Sequence, residues 1–458
     1  MHELGTVMYI IRTVEDCCRE NQLTRVGSVT LQVGEVSGIL PKYLADCWDW
    51  AVKRTEYMQE AELRIEPIEA VTLCSDCGEE YSTVKYAKIC PRCGSERTYL
   101  LRGNEYAIKE IEELTEAFVS QIIESGPDAL ILSGDLSFNG ERESHLMLAE
   151  KLRRVEDAGI PVLVIPGNHD LDSSKAAAFI GDGYSRVDSV NMREFEEIYA
   201  DLGFNQALSR DEDSLSYIAE VTPELRVLMV DVNTQDEPGF LDESTLNWID
   251  EQLKCVAEAG AKVVAVSHQN LFQHNSLFRG GFLIGNGRLL GALFEKYGVI
   301  CNLSGHMHVQ HISQIESGLT EIATSSLAVT PNQYGLLYLS GSQGYYCTEP
   351  VDVDGWAGSQ GLDNPELLHF RDYAAGFFWN SSYRKTMARL GQVRGADALA
   401  RAYSDFNLAY FVGRMDTVDC GADTLRRWKN RDNFTYEYIC SMCADEGKNY
   451  TEFVLGPF

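Results

Sequence analysis

Along the first hundred residues the apolar positions change period several times. Leu4, Val7, Met8 and Ile11 recur at helical spacing, so an amphipathic helix is expected almost from the first residue. Val29, Leu31 and Val33 alternate with Thr30 and Gln32, the pattern of a half-buried strand. After a turn at 34–38, Pro41 suits the first turn of a helix with Leu44, Cys47, Trp48 and Ala51 on one face. Leu63 and Ile65 alternate with Glu62, Arg64 and Glu66 and predict another strand. A cysteine-rich excursion follows, and then a strand around 106–111.

From Leu114 the pattern becomes a regular alternation. Helices are expected at 114–125, 142–157, 244–257 and 288–297. Short apolar strands are expected at 129–132, 161–165, 227–230, 263–266 and 299–303. Strand and helix in turn indicate an α/β layered domain, with polar residues just after the strand ends, where such folds place ligands. The last part is rich in Tyr, Phe and Arg at helical spacing. The expected organisation is α/β throughout: a small α/β domain at 1–112 with a metal loop at 71–97, an α/β layered domain at 113–345, and a helical extension at 346–458.

Composition narrows the partners. A formal charge of −30 argues against binding a nucleic-acid backbone, which needs a basic surface. No apolar run approaches the ~18 residues of a membrane span. The start, Met1-His2-Glu3-Leu4-Gly5, carries no basic segment followed by an apolar one, so a cytoplasmic location is expected. In that compartment, clustered pairs among the 13 cysteines suggest metal rather than disulfides.

Cys74-x2-Cys77 and, twelve residues on, Cys90-x2-Cys93 form such a cluster. Two CxxC turns, each followed by a glycine (Gly78, Gly94), bring four thiolates around one Zn²⁺. All four ligands are protein, so the expected role is structural. Cys440-x2-Cys443, a lone pair on an expected helix, reads as incidental.

Residues 1–112 resemble the HypA-type nickel-insertion accessory proteins of hydrogenases. The likeness rests on Met1-His2-Glu3-Leu4, on Val33-Gly34-Glu35-Val36-Ser37-Gly38, on the four cysteines and on Gly103-Asn104-Glu105. It implies a transient Ni²⁺ site at the N-terminus, with His2 as imidazole ligand, Glu3 nearby, and the Met1 amine or backbone nitrogens completing it. Nitrogen donors suit Ni²⁺, and an α-amine titrating near ~8 can give up its proton to a metal. The implied partners are a GTP-dependent nickel chaperone and a hydrogenase large subunit; some relatives serve urease.

Gly134-Asp135, Gly167-Asn168-His169-Asp170, Ser267-His268 and Gly305-His306-Met307-His308 follow apolar strands in that order. Together they resemble the calcineurin-like metallophosphoesterases, which use two metals ~3.5–4 Å apart and a metal-activated hydroxide. The resemblance implies that Asp135 bridges, that Asn168, His268 and His306 join it around one Mn²⁺, Fe²⁺ or Zn²⁺, and that His308 serves the other metal. It makes His169 the group that stabilises the transition state or protonates the leaving oxygen of a phosphate ester, oriented by Asp170. A regular strand would carry His306 and His308 on one face.

The family's first motif, Asp-x-His, is missing: none of the nine histidines has Asp two positions earlier. The family-like part begins at the helix that should follow the first strand, an abrupt junction that fits a deletion or an assembly error joining two reading frames. One metal keeps four protein ligands; the other keeps Asp135 and His308. The neighbours of the absent strand should expose unpaired backbone groups and apolar faces. The leading expectation is a nickel metallochaperone for hydrogenase maturation. The alternative is a metal-dependent phosphoesterase or phosphodiesterase impaired by the missing ligands.

Overall fold

The computed structural model describes residues 11, 28–34, 44–45, 48, 51–55, 58–59, 61–68, 70–74, 77, 79–86, 89–95, 98–102, 109–180, 183–391 and 394–458. They group into two compact units: one drawn from Met1–Lys109, Glu141–Glu143 and Ser174–Asp188, the other from Glu110–Gly140, Ser144–Ser173 and Ser189–Phe458. Of the expected first helix only Ile11 is among them, helical and buried.

In the smaller unit, β1 (Ser28–Gly34) and β2 (Glu62–Ile68) pair in parallel, with Val29 opposite Leu63 and Leu31 opposite Ile65. The alternating pattern therefore puts its apolar residues on one face, as expected. That face packs against Ile11, Leu44, Trp48, Ala51, Met58 and Ala61, all buried. Trp48 Nε1–H donates to Ala61 O at 2.9 Å, which satisfies the one polar atom of a fully buried indole. A second sheet orders β3 (Val71–Cys74), β4 (Glu80–Ser82) and β5 (Thr98–Arg102) as β4-β3-β5, antiparallel throughout.

The strand expected at 106–111 is not there. Residues 106–108 lie outside the described residues, and Lys109, Glu110 and Ile111 open the helix Lys109–Ser125. Ile111 stands three positions before Leu114 and extends the stripe that runs on through Phe118 and Ile122, so the helical period wins.

In the larger unit β6 (Leu130–Leu132) and β7 (Val162–Val164) form a parallel pair. The hairpin of β8 (Ala177–Ile180) and β9 (Gly183–Arg186) interrupts the chain and belongs to the smaller unit. Next come β10 (Ala207–Arg210), β11 (Tyr217–Thr222), β12 (Leu225–Val230), β13 (Lys262–Ser267), β14 (Asn302–Ser304), β15 (His311–Gln314) and β16 (Thr320–Ala323). They make a seven-stranded sheet in the order β10-β11-β12-β13-β14-β16-β15. Its centre, β12-β13-β14-β16, is parallel. Both faces are covered, which is why these strands read as unbroken apolar runs. Val227, Met229 and Val266 face the cluster shared with β7 and the helices Lys109–Ser125 and Arg142–Asp157. Leu228, Val230, Val263 and Ala265 face Ile249, Leu253, Leu290 and Phe294 of the helices Glu243–Ala259 and Gly287–Tyr297.

A three-stranded sheet joins β17 (Gln333–Ser340), β18 (Gln343–Pro350) and β19 (Glu452–Leu455). The expected helical extension is present as Val353–Ser359, Pro365–Leu368, Phe370–Leu390, Ala396–Phe411, Ala422–Lys429 and Asn433–Cys443, but it closes on strand β19. Cys443 is disulfide-bonded to Cys420, with Cα atoms 5.9 Å apart. The lone-pair reading of Cys440-x2-Cys443 missed this because the partner lies 23 residues upstream, outside any CxxC spacing.

Strand β6 has β7 as its one ladder partner among the described residues. Leu130 is buried, but Ile131 and Leu132 are only half-buried, whereas β7 is buried throughout. The helix Lys109–Ser125 is held by polar ties as well as apolar contact. Glu116 accepts from Lys151 and, at 2.6 Å, from Arg154. Gln121 donates to Tyr334 Oη at 3.0 Å and accepts from Asp352 N at 2.9 Å.

Burial would raise the Glu116 carboxyl, but its hydrogen bonds to Lys151 and Arg154 outweigh it and hold the group below the usual range. That stability is present above the unfolded value of 4.5 and is lost as pH falls through the lower folded one. Glu116→Gln should cost roughly 1 kcal/mol at neutral pH, the scale of a partly exposed ion pair. Thermal melts at pH 7 and in acid check this: the parent–variant gap should shrink in acid, and an equal gap at both would refute it.

Candidate metal centres

The two CxxC turns meet as the spacing implied. Cys74 Sγ lies 3.5 Å from Cys93 Sγ, and Cys77 Sγ lies 3.6 Å from Cys90 Sγ. All four sulfurs fall within 4.8 Å of one another. A tetrahedron with metal–sulfur bonds of ~2.3 Å has edges of ~3.8 Å, so the set fits a tetrahedral thiophilic ion. Cys74 ends β3, and its N–H donates to Glu79 O. In the second turn Gly94 has φ +72°, and its N–H donates to Cys90 O at 2.9 Å. Gly78 lies outside the described residues. Burial would raise the Cys90 thiol, but the backbone N–H groups of Cys93 and Arg92 bring it down to about 7. Burial pushes the Cys77 thiol up to about 12. One sulfur is thus ready as thiolate and another requires the ion to take its proton. Met1, His2 and Glu3, the expected nickel ligands, lie outside the described residues.

The second centre gathers at the carboxyl ends of β6, β7, β13 and β14. Asp135 Oδ1 lies 3.3 Å from His268 Nε2. His268 Nε2 lies 3.1 Å from Asn168 Oδ1 and 3.1 Å from His306 Nδ1. The tautomers follow from the far side of each ring. His268 Nδ1 donates to Ser133 O at 2.8 Å, and His306 Nε2 donates to Gly281 O at 2.9 Å. Each ring thus turns its other nitrogen inward. Asp135, Asn168, His268 and His306 converge on one point, an arrangement of donors that fits a cation held between them. Burial, and then the charge on His268, bring His306 down to about 4, which keeps its ring neutral. Burial would raise Asp135, yet the His268 contact and the His169 amide hold it below the usual carboxylate range.

Two glycines make the convergence possible. A Cβ on Gly134 would come 2.6 Å from Gly167 N, and one on Gly167 would come 2.2 Å from Asp135 Oδ1. The β6 and β7 turns touch backbone to backbone, and no side chain fits between them.

His306 and His308 do not alternate along a strand. β14 ends at Ser304, and both histidines have left-handed backbone, φ +64° and +57°. The chain turns there, and each ring is aimed by that turn. His308 still reaches the centre, with Nε2 4.0 Å from Asp135 Oδ2, but it is 48% exposed, and no third group from the described residues joins it. Asp170 does not orient His169. His169 is exposed and turns Nδ1 to Phe138 O at 3.0 Å. Asp170 is fully buried and accepts from Leu136 N, Ser137 N, Ser137 Oγ and Gly167 N at 2.8–3.0 Å. It ties the turn carrying Asp135 to the turn carrying Asn168.

A second pair of histidines, His274 and His311, stands Nδ1 to Nδ1 at 2.9 Å. His274 Nε2 contacts Glu321 at 3.0 Å, and His311 Nε2 contacts Asp445 at 3.2 Å. This buried chain fastens the loop after His268 to β15, β16 and the C-terminal segment. Four residues scattered from 274 to 445 carry no spacing signal that could have revealed it.

A family model described as calcineurin-like phosphoesterase matches residues 70–310. The chain belongs to the calcineurin-like phosphoesterase family. Residues 1–113 match the model for hydrogenase/urease nickel incorporation, metallochaperone, HypA, and form a HypA domain fused to the phosphoesterase part. Residues 352–449 match the C-terminal domain of cyclic nucleotide phosphodiesterase. Among curated proteins, the hydrogenase maturation factor HypA of Chlorobium luteolum is 34% identical over 111 residues, 24% of this chain and 94% of that protein. The HypA of Albidiferax ferrireducens is 30% identical over 112 residues, covering 24% and 98%. Among solved structures, a dimetal phosphatase of Danio rerio aligns over 53% of this chain and 87% of its own, at 14% identity and a TM-score of 0.40. No helix among the described residues is long and apolar enough to cross a membrane.

Asp170→Ala should leave three backbone N–H groups of the phosphoesterase turns without their acceptor. A loss of roughly 3 kcal/mol or more is expected. Metal uptake at the Asp135 centre should fall with it while the four-cysteine centre keeps its ion. Denaturant melts with metal analysis would show this, and unchanged uptake by a folded variant would contradict it.

Proposed function

We propose that this protein is a nickel metallochaperone serving [NiFe] hydrogenase maturation, its delivery part being residues 1–112. The observation that carries this is a four-sulfur cluster with zinc-like geometry inside a stretch that matches named HypA proteins over nearly their whole length. In this reading Cys74, Cys77, Cys90 and Cys93 hold a structural Zn²⁺, and Met1, His2 and Glu3 bind Ni²⁺ as cargo. A site at a chain end can release its ion more readily than a closed tetrahedron of thiolates. A GTP-dependent nickel chaperone and a hydrogenase large subunit are the partners, in the cytoplasm.

His2→Ala should abolish nickel binding and leave one equivalent of zinc. Equilibrium dialysis followed by mass-spectrometric metal analysis reads both ions; equal nickel uptake by parent and variant would sink the assignment.

A second reading has its own observation: the convergence of Asp135, Asn168, His268 and His306 on one point. We assign residues 113–345 to a phosphoesterase-like part and 346–458 to its C-terminal extension. Asp135, Asn168, His268 and His306 would hold one ion, Mn²⁺, Fe²⁺ or Zn²⁺. That ion would supply positive charge to the phosphoryl oxygens of a phosphate ester. Exposed at Nε2, His169 would stabilise the transition state or, as the imidazolium, place a proton on the leaving oxygen. Its carbonyl tie to Phe138 replaces the expected carboxylate, so its ring is oriented but gains no negative partner. Asp135 and His308 alone are too few to hold a second ion firmly, and activity should be feeble. Turnover of bis(p-nitrophenyl) phosphate with added Mn²⁺ should be weak and should vanish in Asp135→Asn; vigorous turnover would overturn the view that the second ion's ligands are lost.

A further inference from the structure

The buried chain Glu321–His274–His311–Asp445 holds a number of protons that its hydrogen bonds decide. Glu321 is fully buried and accepts twice at each oxygen. Oε1 takes Leu271 N at 2.7 Å and Asn302 Nδ2 at 2.9 Å; Oε2 takes Phe272 N at 2.6 Å and His274 Nε2 at 3.0 Å. No lone pair is left for a proton of its own, so Glu321 is ionised and His274 Nε2 carries the hydrogen. At the other end Asp445 Oδ1 accepts from Tyr450 Oη at 2.9 Å, and Oδ2 faces His311 Nε2 at 3.2 Å. An imidazole is far more basic than a carboxylate, so the proton of that contact also sits on the ring.

Both rings therefore turn an N–H outward. Were both neutral, two bare Nδ1 lone pairs would oppose each other at 2.9 Å. The contact is a hydrogen bond only when one Nδ1 keeps a further proton. Without that proton one link of the chain has to open. Either the two Nδ1 atoms part, or His311 changes tautomer and sets a bare Nε2 against Asp445.

The surroundings suit one positive ring. Glu321 faces the pair from β16, and Asp445 and Tyr450 face it from the C-terminal segment. Tyr410, on the helix Ala396–Phe411, accepts through Oη from Asn275, the neighbour of His274, at 2.7 Å. Neither carboxylate pairs with a lysine or arginine among the described residues. Burial holds His311 below the usual imidazole value against the pull of Asp445, which makes His311 the accepting ring and His274 the donor.

We propose that His274 and His311 form a proton-held clamp: one proton between their Nδ1 atoms fastens the loop leaving His268 to the C-terminal segment, and its loss at alkaline pH opens the clamp. The closed clamp keeps a proton that an unfolded imidazole gives up near ~6.5. Its contribution to stability is therefore whole below that pH and is lost as pH rises through the clamp's own higher value.

The test is nuclear magnetic resonance of the full-length chain with isotopically labelled histidine nitrogens. At about pH 8 an ordinary imidazole bears one proton; one ring of the parent should still bear two. In His311→Gln the amide can donate to a neutral His274, so that ring should lose its second proton. Absence of a doubly protonated ring in the parent, or its persistence in the variant, overturns the proposal. The parent spectrum decides the matter even where the variant does not fold. Thermal melts give a second reading: the gap between parent and variant should narrow from about pH 6 to about pH 9. A constant gap would equally overturn it.

Discussion

Four ligand-type side chains, Asp135, Asn168, His268 and His306, converge on one point and govern the larger unit. Each is fixed from behind rather than from the centre. Ser133 O orders His268, Gly281 O orders His306, and Asp170 binds the two turns that carry Asp135 and Asn168. The surrounding hydrogen bonds and packing hold these side chains in that geometry. The parallel order β12-β13-β14, with β6 and β7 against the opposite face of their cluster, brings all these strand ends to the same place.

The smaller unit solves a related problem by different means. Four sulfurs are gathered by two tight turns, and the backbone around them is short and sharply bent rather than layered. Cys74 and Cys90 are buried, while Cys93 is exposed. With so little apolar material around it, such a loop depends on its ion for order, as small metal-stapled folds do. The larger unit instead has an extensive apolar core on both sides of its sheet.

Most of the α/β alternation was legible because period and burial agree there. The helix Arg142–Asp157 and the strands β12 and β13 stand where the pattern put them, within two residues. The four cysteines and the set Asp135, Asn168, His268 and His306 were legible as well, since turns of short range place each of them. Illegible features depend on distance. Hairpin β17–β18 and strand β19 join residues a hundred positions apart, and the buried His274–His311 contact is made only once β15 is in place. The orientation of His308 was misread for a local reason: a strand was assumed to continue past Gly305, whereas the backbone turns left-handed at His306.

The same turn bears on why the first centre is held more firmly than His308. Asp135, His306 and His308 all have positive φ, at 54°, 64° and 57°. For residues other than glycine each such conformation costs on the order of 1–3 kcal/mol. That cost is offset by the four hydrogen bonds to Asp170, the close contact of Gly134 with Gly167, and a ring contact of His306 with Phe282. None of these comes from the edge of β6 away from β7. Because the strained residues lean on β7, β13 and β14, the first centre keeps its geometry with β6 half open. Among the described residues His308 has no comparable support, and it faces Asp135 across 4.0 Å from a half-exposed position.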